Sequence, residues 1–517
     1  MGRHIRLGLG ASGLALLTGF TVWAAVPAGP RSPEAARLNS ATSSLPSHPS
    51  ESVQGPNSAA APQASTPTAN AVRVDLSHSL GTFPFRPGHQ LSATPNSWKY
   101  GTVTNEKLSD LGLARARVWL EFDQAYDVAT GTPEYSKWYD YLSEYSSRSS
   151  DGLVVNWRSD YDPLVTNGTF TRSALFAAER DMLADYKRHF PSIKYLEAEN
   201  EPPDIAAYYP KYKFMYEVVN AVNAMGLPGA KIEIGGPTTD VFSVNRIGQF
   251  LDLYAADTDT GKRLDFITYH QYLINTSGSG TWDAPKQDPA VVSTERAQVD
   301  SMLTARKLAG RPVMVTETGV FPGSRESGLG LSADYHIQAA ALPSLDYYYL
   351  GQSSITPFDW TIHHPDNDRK SMFADTGTGA ARPYYNAMRM ESMLPGTRYQ
   401  ATSDGLSSKG IGVYGLAAAD SGEVAVMTWN YQWTLKTAYD SKVVLSNFPA
   451  AFQNSNVLVT RYRIADDSDT GELNPVEQFV IGPRGSGGYT SQTLPLNPNE
   501  LRLLVLTPTT KPVGWHS

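Results

Sequence analysis

The sequence of 517 residues contains no cysteine. It can therefore form neither a disulfide framework nor a lipid-modified cysteine, and its core alone must stabilise the fold. Basic residues are in deficit, because 43 lysines and arginines stand against 51 acidic residues, which gives a formal net charge of -8. No nucleic-acid partner is expected, since such a partner requires a basic face. No nicotinamide or nucleotide fingerprint of any specificity is present, so no cofactor is expected.

Only one apolar run is long enough to approach a membrane span. It extends from Leu7 to Val26, follows Arg3 and Arg6, and ends among small residues near Ala28. This order of positive, apolar and small segments predicts a secretory signal peptide over residues 1–28. An uncleaved single-span anchor is the alternative, because the run is nearly long enough. We expect a secreted, extracellular protein of bacterial origin, with no stable membrane insertion once the peptide is cleaved.

Residues 29–70 are rich in Ser, Ala, Pro and Thr and have few large apolar side chains. Such a segment cannot bury enough surface to offset its ordering entropy, which predicts a disordered linker. Ordered structure is expected from about Ala71, and a hydrophobic content of 41% is ample for a large core. Two folded domains are predicted, a larger one over 71–395 and a smaller one over 396–517.

Two apolar, β-like runs each end on a glutamate. The first ends in Asn200-Glu201, and the two prolines that follow cannot continue a strand ladder. The second, 312–319, carries Glu317. Strand ends are where a barrel or an open α/β sheet places its chemistry. Two carboxylates on two strand ends are what cleavage of a glycosidic bond requires.

The first domain repeats a strand–helix unit. Its apolar runs end roughly 34 to 47 residues apart, near Trp119, Trp157, Glu201, Gly236, His270, Glu317 and Trp360. Helix-like segments fill the gaps, for example 172–190. With the less regular segment 71–85 as strand one, the pattern predicts an α/β fold, a closed (β/α)8 TIM barrel. An open doubly wound sheet is the alternative, but 80–83 is not the glycine loop that it would need.

After Pro395 the pattern changes to short alternating strands with turns, as at 410–414, 424–429 and 501–506. This predicts a C-terminal β-sandwich domain. The strand near Val72 is expected to join the sandwich, because a lone strand cannot satisfy its own backbone groups. The acidic loop 466–469 could bind calcium, but an exposed hairpin tip is the preferred interpretation.

Together these motifs resemble clan A of the retaining glycoside hydrolases, whose signature is an Asn-Glu pair on strand four. They are most similar to glycoside hydrolase family 39, the family of β-xylosidases and α-L-iduronidases. The resemblance is carried by Asn200-Glu201, by 265–272 on strand six and by 358–360 on strand eight. It covers the barrel from about 71 to 394, and the sandwich more loosely.

The chain departs from the family pattern at two places. Glu199 stands where the family usually has a tryptophan, and strand two reads Arg117-Val118-Trp119 where the family tends to have Arg-x-His. Both departures lie near the expected position of a sugar. The identity of the sugar is therefore not carried over from the family.

The resemblance implies a double displacement with Glu201 as general acid/base and Glu317 as nucleophile. The pKa of Glu201 would have to be raised, by burial or by the like charge of Glu317. Hydrogen bonds and a cation would keep Glu317 ionised. A covalent intermediate requires carboxyl groups roughly 5 to 5.5 Å apart, whereas inversion requires roughly 6.5 to 9.5 Å.

The resemblance also implies the substrate-binding residues. Arg117 and either His270 or Tyr272 would hold the nucleophile ionised, and the two strand-six side chains share one face of their strand. Asn200 would bind the sugar 2-hydroxyl, and Trp360 would form the floor of the subsite.

Several of these residues have structural alternatives. Trp157, at the end of strand three, is included as a substrate-binding residue, but packing would explain it equally well. His270 could be a structural histidine, and Arg117 could form an internal salt bridge with Glu197. Trp360 could belong to the core.

No metal site is predicted. His363 and His364 are adjacent, so in a strand they would point to opposite faces. A loop flanking the sugar pocket is the preferred interpretation of that segment, and Glu326 could reach an outer subsite.

The sequence therefore predicts a secreted retaining glycoside hydrolase that is exo-acting on a pentose- or galactose-type oligo- or polysaccharide. The alternatives are an endo-acting glycanase of the same clan and a non-catalytic carbohydrate-binding surface protein. A non-catalytic protein would tend to have lost one carboxylate, and both are present in frame. The exact sugar, the linkage, the anomeric preference and the oligomeric state are left open.

Overall fold

The computed structural model describes residues 67–93, 102–159, 161–273, 288–320, 335–362, 371–374, 379–433, 437–465, 470–485 and 487–517. The predicted signal peptide, nearly all of the linker, Glu326, His363, His364 and the loop 466–469 lie outside these residues. The chain divides into the units Met1–Ala64 and Ser65–Ser517, and the fold below is that of the second. In the part of the chain that is described, no helix is both long enough and apolar enough to cross a bilayer.

Parallel strands close into an eight-stranded barrel. Barrel strands one to eight are Gln90–Ser92, Arg115–Glu121, Leu153–Arg158, Ile193–Ala198, Glu233–Thr239, Phe266–Tyr272, Val313–Gly319 and Ile355–Trp360. Each strand pairs with its neighbour in sequence, and strand eight closes the barrel on strand one by pairing Asp359 with Leu91. The predicted (β/α)8 fold is confirmed.

Helices connect the strands, and several begin at a side-chain cap. The longer helices are Thr102–Asp110, Tyr139–Ser146, Arg172–His189, Ile205–Ala224, Val244–Ala256, Glu295–Ala305, Tyr335–Tyr349 and Pro383–Ser392. The short ones are Phe122–Ala125, Tyr135–Trp138, Tyr161–Thr166, Pro289–Thr294 and Ala450–Gln453. Thr171, Asp204 and Ser243 each accept a hydrogen bond from a backbone N–H in the first turn that follows. These caps satisfy donors that the helix itself leaves unpaired.

The first barrel strand is not the segment 71–85 that the sequence pattern suggested. Thr68–Thr82 instead pairs with Thr397–Ser403 and Tyr439–Ser446 in a second sheet. Its alternating apolar residues Val72 and Val74 pack into that sheet's own core. The true first strand, Gln90–Ser92, has three residues, which is too short for a periodic signal.

The second sheet is one continuous, curled layer of ten mostly antiparallel strands. Besides Thr68–Thr82, its strands are Thr397–Ser403, Gly412–Ala419, Val424–Tyr431, Tyr439–Ser446, Asn456–Ile464, Pro475–Ile481, Tyr489–Thr490, Leu494–Leu496 and Leu501–Thr509. The β domain predicted after the barrel is therefore built from a sheet that curls over its own core, with one strand supplied from before the barrel.

The central strands of the curled sheet are buried on both faces. Met427 and Trp429 belong to the core that surrounds the barrel, whereas Val424 and Val426 on the same strand belong to the sheet's separate core. The alternation follows from the period of two along a strand. Trp429 also donates its indole N–H to Ser344 Oγ at 2.8 Å, on a barrel helix. Barrel and sheet thus share one core.

Apolar side chains fill the barrel interior beneath the carboxyl-terminal ends of its strands. Val154, Tyr195, Phe266, Met314 and Phe358 form a separate buried cluster. Each precedes, on its own strand, a polar or aromatic residue nearer the carboxyl end. This apolar layer lies beneath the polar side chains at the carboxyl-terminal end of the strands, the end where barrels of this type carry their chemistry.

A buried acid lies behind strand six. Glu295 is 2% exposed, and it accepts hydrogen bonds from Tyr269 Oη at 2.8 Å and from Tyr349 Oη at 3.2 Å. Burial raises the pKa of Glu295 to about 8, and the two hydrogen bonds oppose this only in part. The folded protein therefore holds a proton on this side chain at neutral pH.

We expect Glu295→Gln to change how stability depends on pH. The carboxyl group stabilises the fold fully below its unfolded pKa of 4.5, and this contribution is lost as the pH rises toward about 8. A neutral amide has no such dependence. The unfolding free energy of the variant relative to wild type should rise by up to about 1.4 kcal/mol per pH unit across that interval. Urea unfolding at several pH values measures it, and a constant difference would contradict the assignment.

Candidate active site

The tip of strand four has an unusual backbone. Glu199 and Glu201 have φ values of 62° and 48°, in the left-handed region that residues other than glycine seldom occupy. Backbone hydrogen bonds hold this conformation, from Glu199 N to Trp157 O at 2.9 Å and from Glu201 N to Thr238 O at 3.0 Å. Strands three and five therefore fix the direction in which Glu201 leaves strand four.

Strand seven contains a bulge at the nucleophile candidate. Its pairing with strand six skips Thr316, so that Thr316 and Glu317 both reach the barrel interior. Thr316 Oγ1 donates to Glu197 Oε1 at 2.6 Å, while Glu317 Oε1 accepts from Arg117 at 2.8 Å. In a regular strand these two neighbours would point to opposite faces.

Arg117 connects the polar residues of the barrel interior. It is fully buried, and its Nε donates to Glu197 Oε2 at 2.6 Å. Its Nη1 donates to Glu317 Oε1 at 2.8 Å and to Ser92 Oγ at 3.2 Å, and its Nη2 donates to Asn200 Oδ1 at 2.8 Å. Burial would lower the pKa of Arg117, but the two carboxylates outweigh it and raise the pKa. The two alternatives for Arg117, an internal salt bridge and a support for Glu317, are both realised.

Glu201, His270 and Glu317 converge. His270 Nδ1 lies 2.8 Å from Glu201 Oε1 and 3.5 Å from Glu317 Oε2. One oxygen of each carboxylate and a ring nitrogen of His270 all lie within 4.8 Å of one another. The side chain of Glu201 is 39% exposed and that of Glu317 only 5%. The barrel thus brings an accessible and a buried carboxylate together.

The surroundings of this group favour a proton on His270 over one on Glu201. Burial would lower the pKa of His270, but the carboxylates of Glu317 and Glu201 raise it above its usual 6.5. Burial also acts on Glu201 and would raise its pKa, but His270, Arg117 and Arg246 outweigh it and lower the pKa. The expectation of a raised Glu201 pKa is therefore wrong for the free protein, because a cationic histidine lies closer to Glu201 than was foreseen.

Tyr272 supports the buried carboxylate. Its Oη donates to Glu317 Oε2 at 2.5 Å. Burial and the charge of Glu317 raise the pKa of Tyr272 well above 10, so that the phenol keeps the proton that it donates. As expected, the side chains of His270 and Tyr272 lie on the same face of strand six, and both contact the site carboxylates.

Trp157 lies on the other side of the sheet. Its indole N–H donates to Glu179 Oε2 at 3.0 Å, on the helix Arg172–His189, and the residue is fully buried. The preceding residue, Asn156, faces the lumen and donates to Glu197 Oε2 at 3.0 Å and to the Glu199 carbonyl at 2.6 Å. The prediction that Trp157 contacts substrate is therefore wrong, because its side chain packs on the helix side of the strand while that of the neighbouring Asn156 faces the lumen.

Trp360 has an aromatic neighbour, Trp119, which the sequence placed near the sugar without a role. The rings of Trp360 and Trp119 lie 5.9 Å apart, and Arg117 lies 5.2 Å from the centre of the Trp119 ring. Trp119 is half-buried, and its Nε1 has no acceptor among the described residues. Its position two residues after Arg117 on strand two was the available signal. The role of Trp360 as a sugar platform stays a prediction.

Glu201, His270 and Glu317 are also close enough to share a cation, the one such group among the residues that are described. Arg117 is already paired with Glu317, and the raised pKa of His270 favours the protonated ring, which is a poor metal ligand. Both oppose a metal ion at this place. The group is better suited to proton transfer.

No protein-family model matches the chain, and no curated protein matches it. Several solved structures match its fold. A bacterial orthologue of human α-L-iduronidase is 14% identical over 86% of this chain and 85% of its own, with a TM-score of 0.67. A β-xylosidase from Caulobacter crescentus CB15 is 15% identical over 86% of this chain and 100% of its own, with a TM-score of 0.62. A glycoside hydrolase family 39 enzyme from Xanthomonas axonopodis pv. citri is 15% identical over 87% and 100%, with a TM-score of 0.62.

At these identities the likeness establishes the fold, a barrel with an attached β domain. The resemblance to family 39 that the strand motifs indicated is confirmed at this level. The chemistry of the site must be argued from its own residues.

We expect Arg117→Met to lower the free energy of unfolding by roughly 3 to 5 kcal/mol, because it leaves Glu197 and Glu317 buried without their cation. The double variant Arg117→Met with Glu197→Gln removes one of these unpaired charges. It should be more stable than Arg117→Met alone. Urea unfolding at neutral pH measures both, and equal stabilities would show that the ion pair is not the cause.

Proposed function

We propose that the protein is a retaining glycoside hydrolase that cleaves O-glycosidic bonds by double displacement. The observation that carries the proposal is the approach of Glu201 and Glu317, with one oxygen of each within 4.8 Å of the other. This lies near the roughly 5 to 5.5 Å typical of retaining enzymes and well below the roughly 6.5 to 9.5 Å that an inverting enzyme needs for water. Both carboxylates are present, which favours an enzyme over a non-catalytic carbohydrate-binding protein.

In the first step a carboxylate oxygen of Glu317 attacks the anomeric carbon. The bond from that carbon to the glycosidic oxygen breaks, and an ester to Glu317 forms. Arg117 and Tyr272 hydrogen-bond separate oxygens of Glu317, at 2.8 Å and 2.5 Å. These contacts fix the direction of the nucleophile.

The glycosidic oxygen leaves with a proton from the Glu201–His270 pair. Substrate in the barrel mouth excludes water from Glu201, which raises its pKa and draws the proton from His270 across the 2.8 Å contact. In the second step Glu201 takes a proton from water while the water oxygen attacks the anomeric carbon. Glu317 is released, and the sugar product keeps its original configuration.

Asn200 is oriented to bind the sugar. Its Oδ1 accepts from Arg117 Nη2 at 2.8 Å, which assigns the amide orientation. No described residue accepts a hydrogen bond from its Nδ2. This N–H2 group is therefore left as a donor for the 2-hydroxyl of the sugar next to the scissile bond.

The substrate class is proposed from resemblance. Proteins with this fold are named as a β-xylosidase, a glucosidase from Croceicoccus marinus and an orthologue of α-L-iduronidase, which act on different sugars. For this chain we propose exo action on a pentose- or galactose-type glycan. A screen of aryl glycosides and natural oligosaccharides tests the class. Release of intermediate oligosaccharides with rapid loss of polysaccharide viscosity would favour the endo alternative.

We also propose that the protein is exported by a bacterium. The support is the order of basic, apolar and small residues over 1–28 and the absence of cysteine. Mass spectrometry of the protein from culture medium should find an N-terminus near residue 28. Recovery of the intact N-terminus from the membrane fraction would instead favour an anchor.

Glu201→Gln should lower kcat for a substrate with a poor leaving group by about 10² to 10⁴-fold, and much less for an activated aryl glycoside that needs no proton. Glu317→Gln should abolish turnover of both, because no ester can form. Glu199→Gln is the matched control: its Oε1 accepts from Ser159 N at 3.0 Å, an interaction that glutamine can also make. Proton NMR of the first-formed sugar should show the retained anomer, and an inverted anomer would contradict the mechanism.

His270→Asn should move the alkaline limb of the kcat/KM profile to lower pH. In the wild type the shared proton is lost with an apparent pKa set by His270, which the carboxylates raise above 6.5. Activity is present below that pKa and is lost as the pH rises through it. In the variant the proton must reside on Glu201, which releases it at lower pH. An unchanged alkaline limb would mean that His270 does not hold the catalytic proton.

A further inference from the structure

A cavity lies where the barrel meets the curled sheet. It has a volume of about 600 Å³, within the range of roughly 300 to 1,000 Å³ that is typical of small-molecule sites. One wall is the end of the barrel helix Tyr335–Tyr349 with the loop that follows it, and the other is the sheet strand Thr397–Ser403. None of the residues proposed for glycoside cleavage lines it.

The sheet strand presents a polar face to this cavity. Arg398 faces the barrel, because its Nη1 donates to the carbonyl of Leu350 at 2.6 Å and because it pairs with Ala418, a residue of the core around the barrel. Gln400 and Thr402 follow at intervals of two, so they share the face of Arg398, and both line the cavity. Both are exposed, and neither side chain has a hydrogen-bond partner among the described residues.

The helix wall is aromatic. Tyr347 and Tyr348 line the cavity and are half-buried, and their rings pack edge-on at 5.3 Å. Tyr414 of the sheet contacts both rings, at 5.2 Å and 6.3 Å, and so holds them in place. The hydroxyl of Tyr347 has no hydrogen-bond partner among the described residues. Held rings with unpaired polar groups beside them suit a sugar, whose apolar face stacks on a ring while its hydroxyls form hydrogen bonds.

Arg398 supplies the charge of the cavity. It is the one charged side chain among the described residues that line it, and no described carboxylate lies within salt-bridge distance of its guanidinium. Burial lowers the pKa of Arg398, and a carboxylate placed beside it would raise that pKa again. The same charge acts on Tyr347, since burial raises the pKa of this phenol and Arg398 opposes the shift. The cation and the aromatic wall therefore lie close together.

Two nitrogen atoms of Arg398 are left for a ligand. Nη1 is used by the Leu350 carbonyl. Nε is buried without an acceptor, and Nη2 makes no hydrogen bond to any described residue. Nε and Nη2 form one edge of the planar guanidinium, and two parallel N–H groups on one edge match the two oxygens of a carboxylate. The free edge favours an anionic ligand over a neutral one.

We propose that this cavity binds an acidic glycan through a uronic-acid residue. The carboxylate pairs with the Nε and Nη2 edge of Arg398, the sugar ring lies against Tyr347, and the ring hydroxyls bind Gln400 and Thr402. A carboxylate on an apolar body fits less well, because it would leave those two polar side chains without partners. A neutral sugar would leave the guanidinium without a counter-ion. The site is independent of the proposed glycosidase chemistry, because it shares no residue with it.

Titration calorimetry on the full chain tests the proposal with three probes. Digalacturonate carries both the sugar rings and the carboxylates, its dimethyl ester is the neutral counterpart, and phenylacetate carries a carboxylate on an apolar ring. Digalacturonate should bind saturably, and each of the other two should bind at least about tenfold more weakly. No saturable heat at millimolar digalacturonate, equal binding of the ester, or tighter binding of phenylacetate would each overturn the proposal.

Arginine variants locate the site. Arg398→Gln should weaken digalacturonate binding about tenfold, while Arg188→Gln, the same change at an exposed side chain on the helix Arg172–His189, should leave it unchanged. Arg398→Lys keeps the charge but not the planar edge, and its affinity should fall between these two. Equal affinities in Arg398→Gln and Arg188→Gln would overturn the site.

A second position decides the matter if Arg398→Gln does not fold. Tyr347→Leu keeps an apolar side chain but removes the flat ring, and it should weaken digalacturonate binding by about threefold to tenfold. An affinity equal to that of the wild type would contradict the placement of the sugar. Turnover of a neutral aryl glycoside should be unchanged in Tyr347→Leu and Arg398→Gln, so failure of this site and failure of the proposed glycosidase activity are distinguishable.

Discussion

One buried guanidinium sets the charge balance inside the barrel. Arg117, on strand two, contacts a carboxylate from strand four and another from strand seven. Burial of such charges costs several kcal/mol per ion unless each is paired and hydrogen-bonded. The hydrogen bonds that offset this cost also orient the carboxylate of Glu317 and the amide of Asn200. Stability and positioning therefore depend on the same interaction, and neither can be altered alone.

The two carboxylates meet because both of their strands depart from regular geometry. Strand four ends in left-handed residues that neighbouring strands hold in place, and strand seven bulges at Thr316. Regular strands would alternate their side chains between the lumen and the helices. The irregularities allow Thr316 to reach Glu197 while Glu317 still faces Arg117. Backbone strain at this end of the barrel is thus tied to the function that we propose.

The barrel and its two site glutamates could be predicted from the sequence, because strand periodicity and the prolines that end a strand are local signals. Prediction from the sequence failed where a shift of one position decides which side chain faces the barrel interior. Trp157 and Asn156 are adjacent, and only the packing of strand three on its helix shows that the asparagine faces inward. The direction of the Glu201 pKa shift was also beyond reach, since it depends on a contact with His270 across 69 positions of the chain.

The curled sheet begins before the barrel and ends after it, since Thr68–Thr82 pairs with strands that follow residue 396. One face of that sheet completes the core around the barrel, with Trp429 reaching Ser344. A breakpoint near residue 395 would therefore expose an apolar surface on both fragments and remove a strand from one of them. Recombination between relatives cannot exchange either part as a module, so the barrel and its sheet must be inherited together.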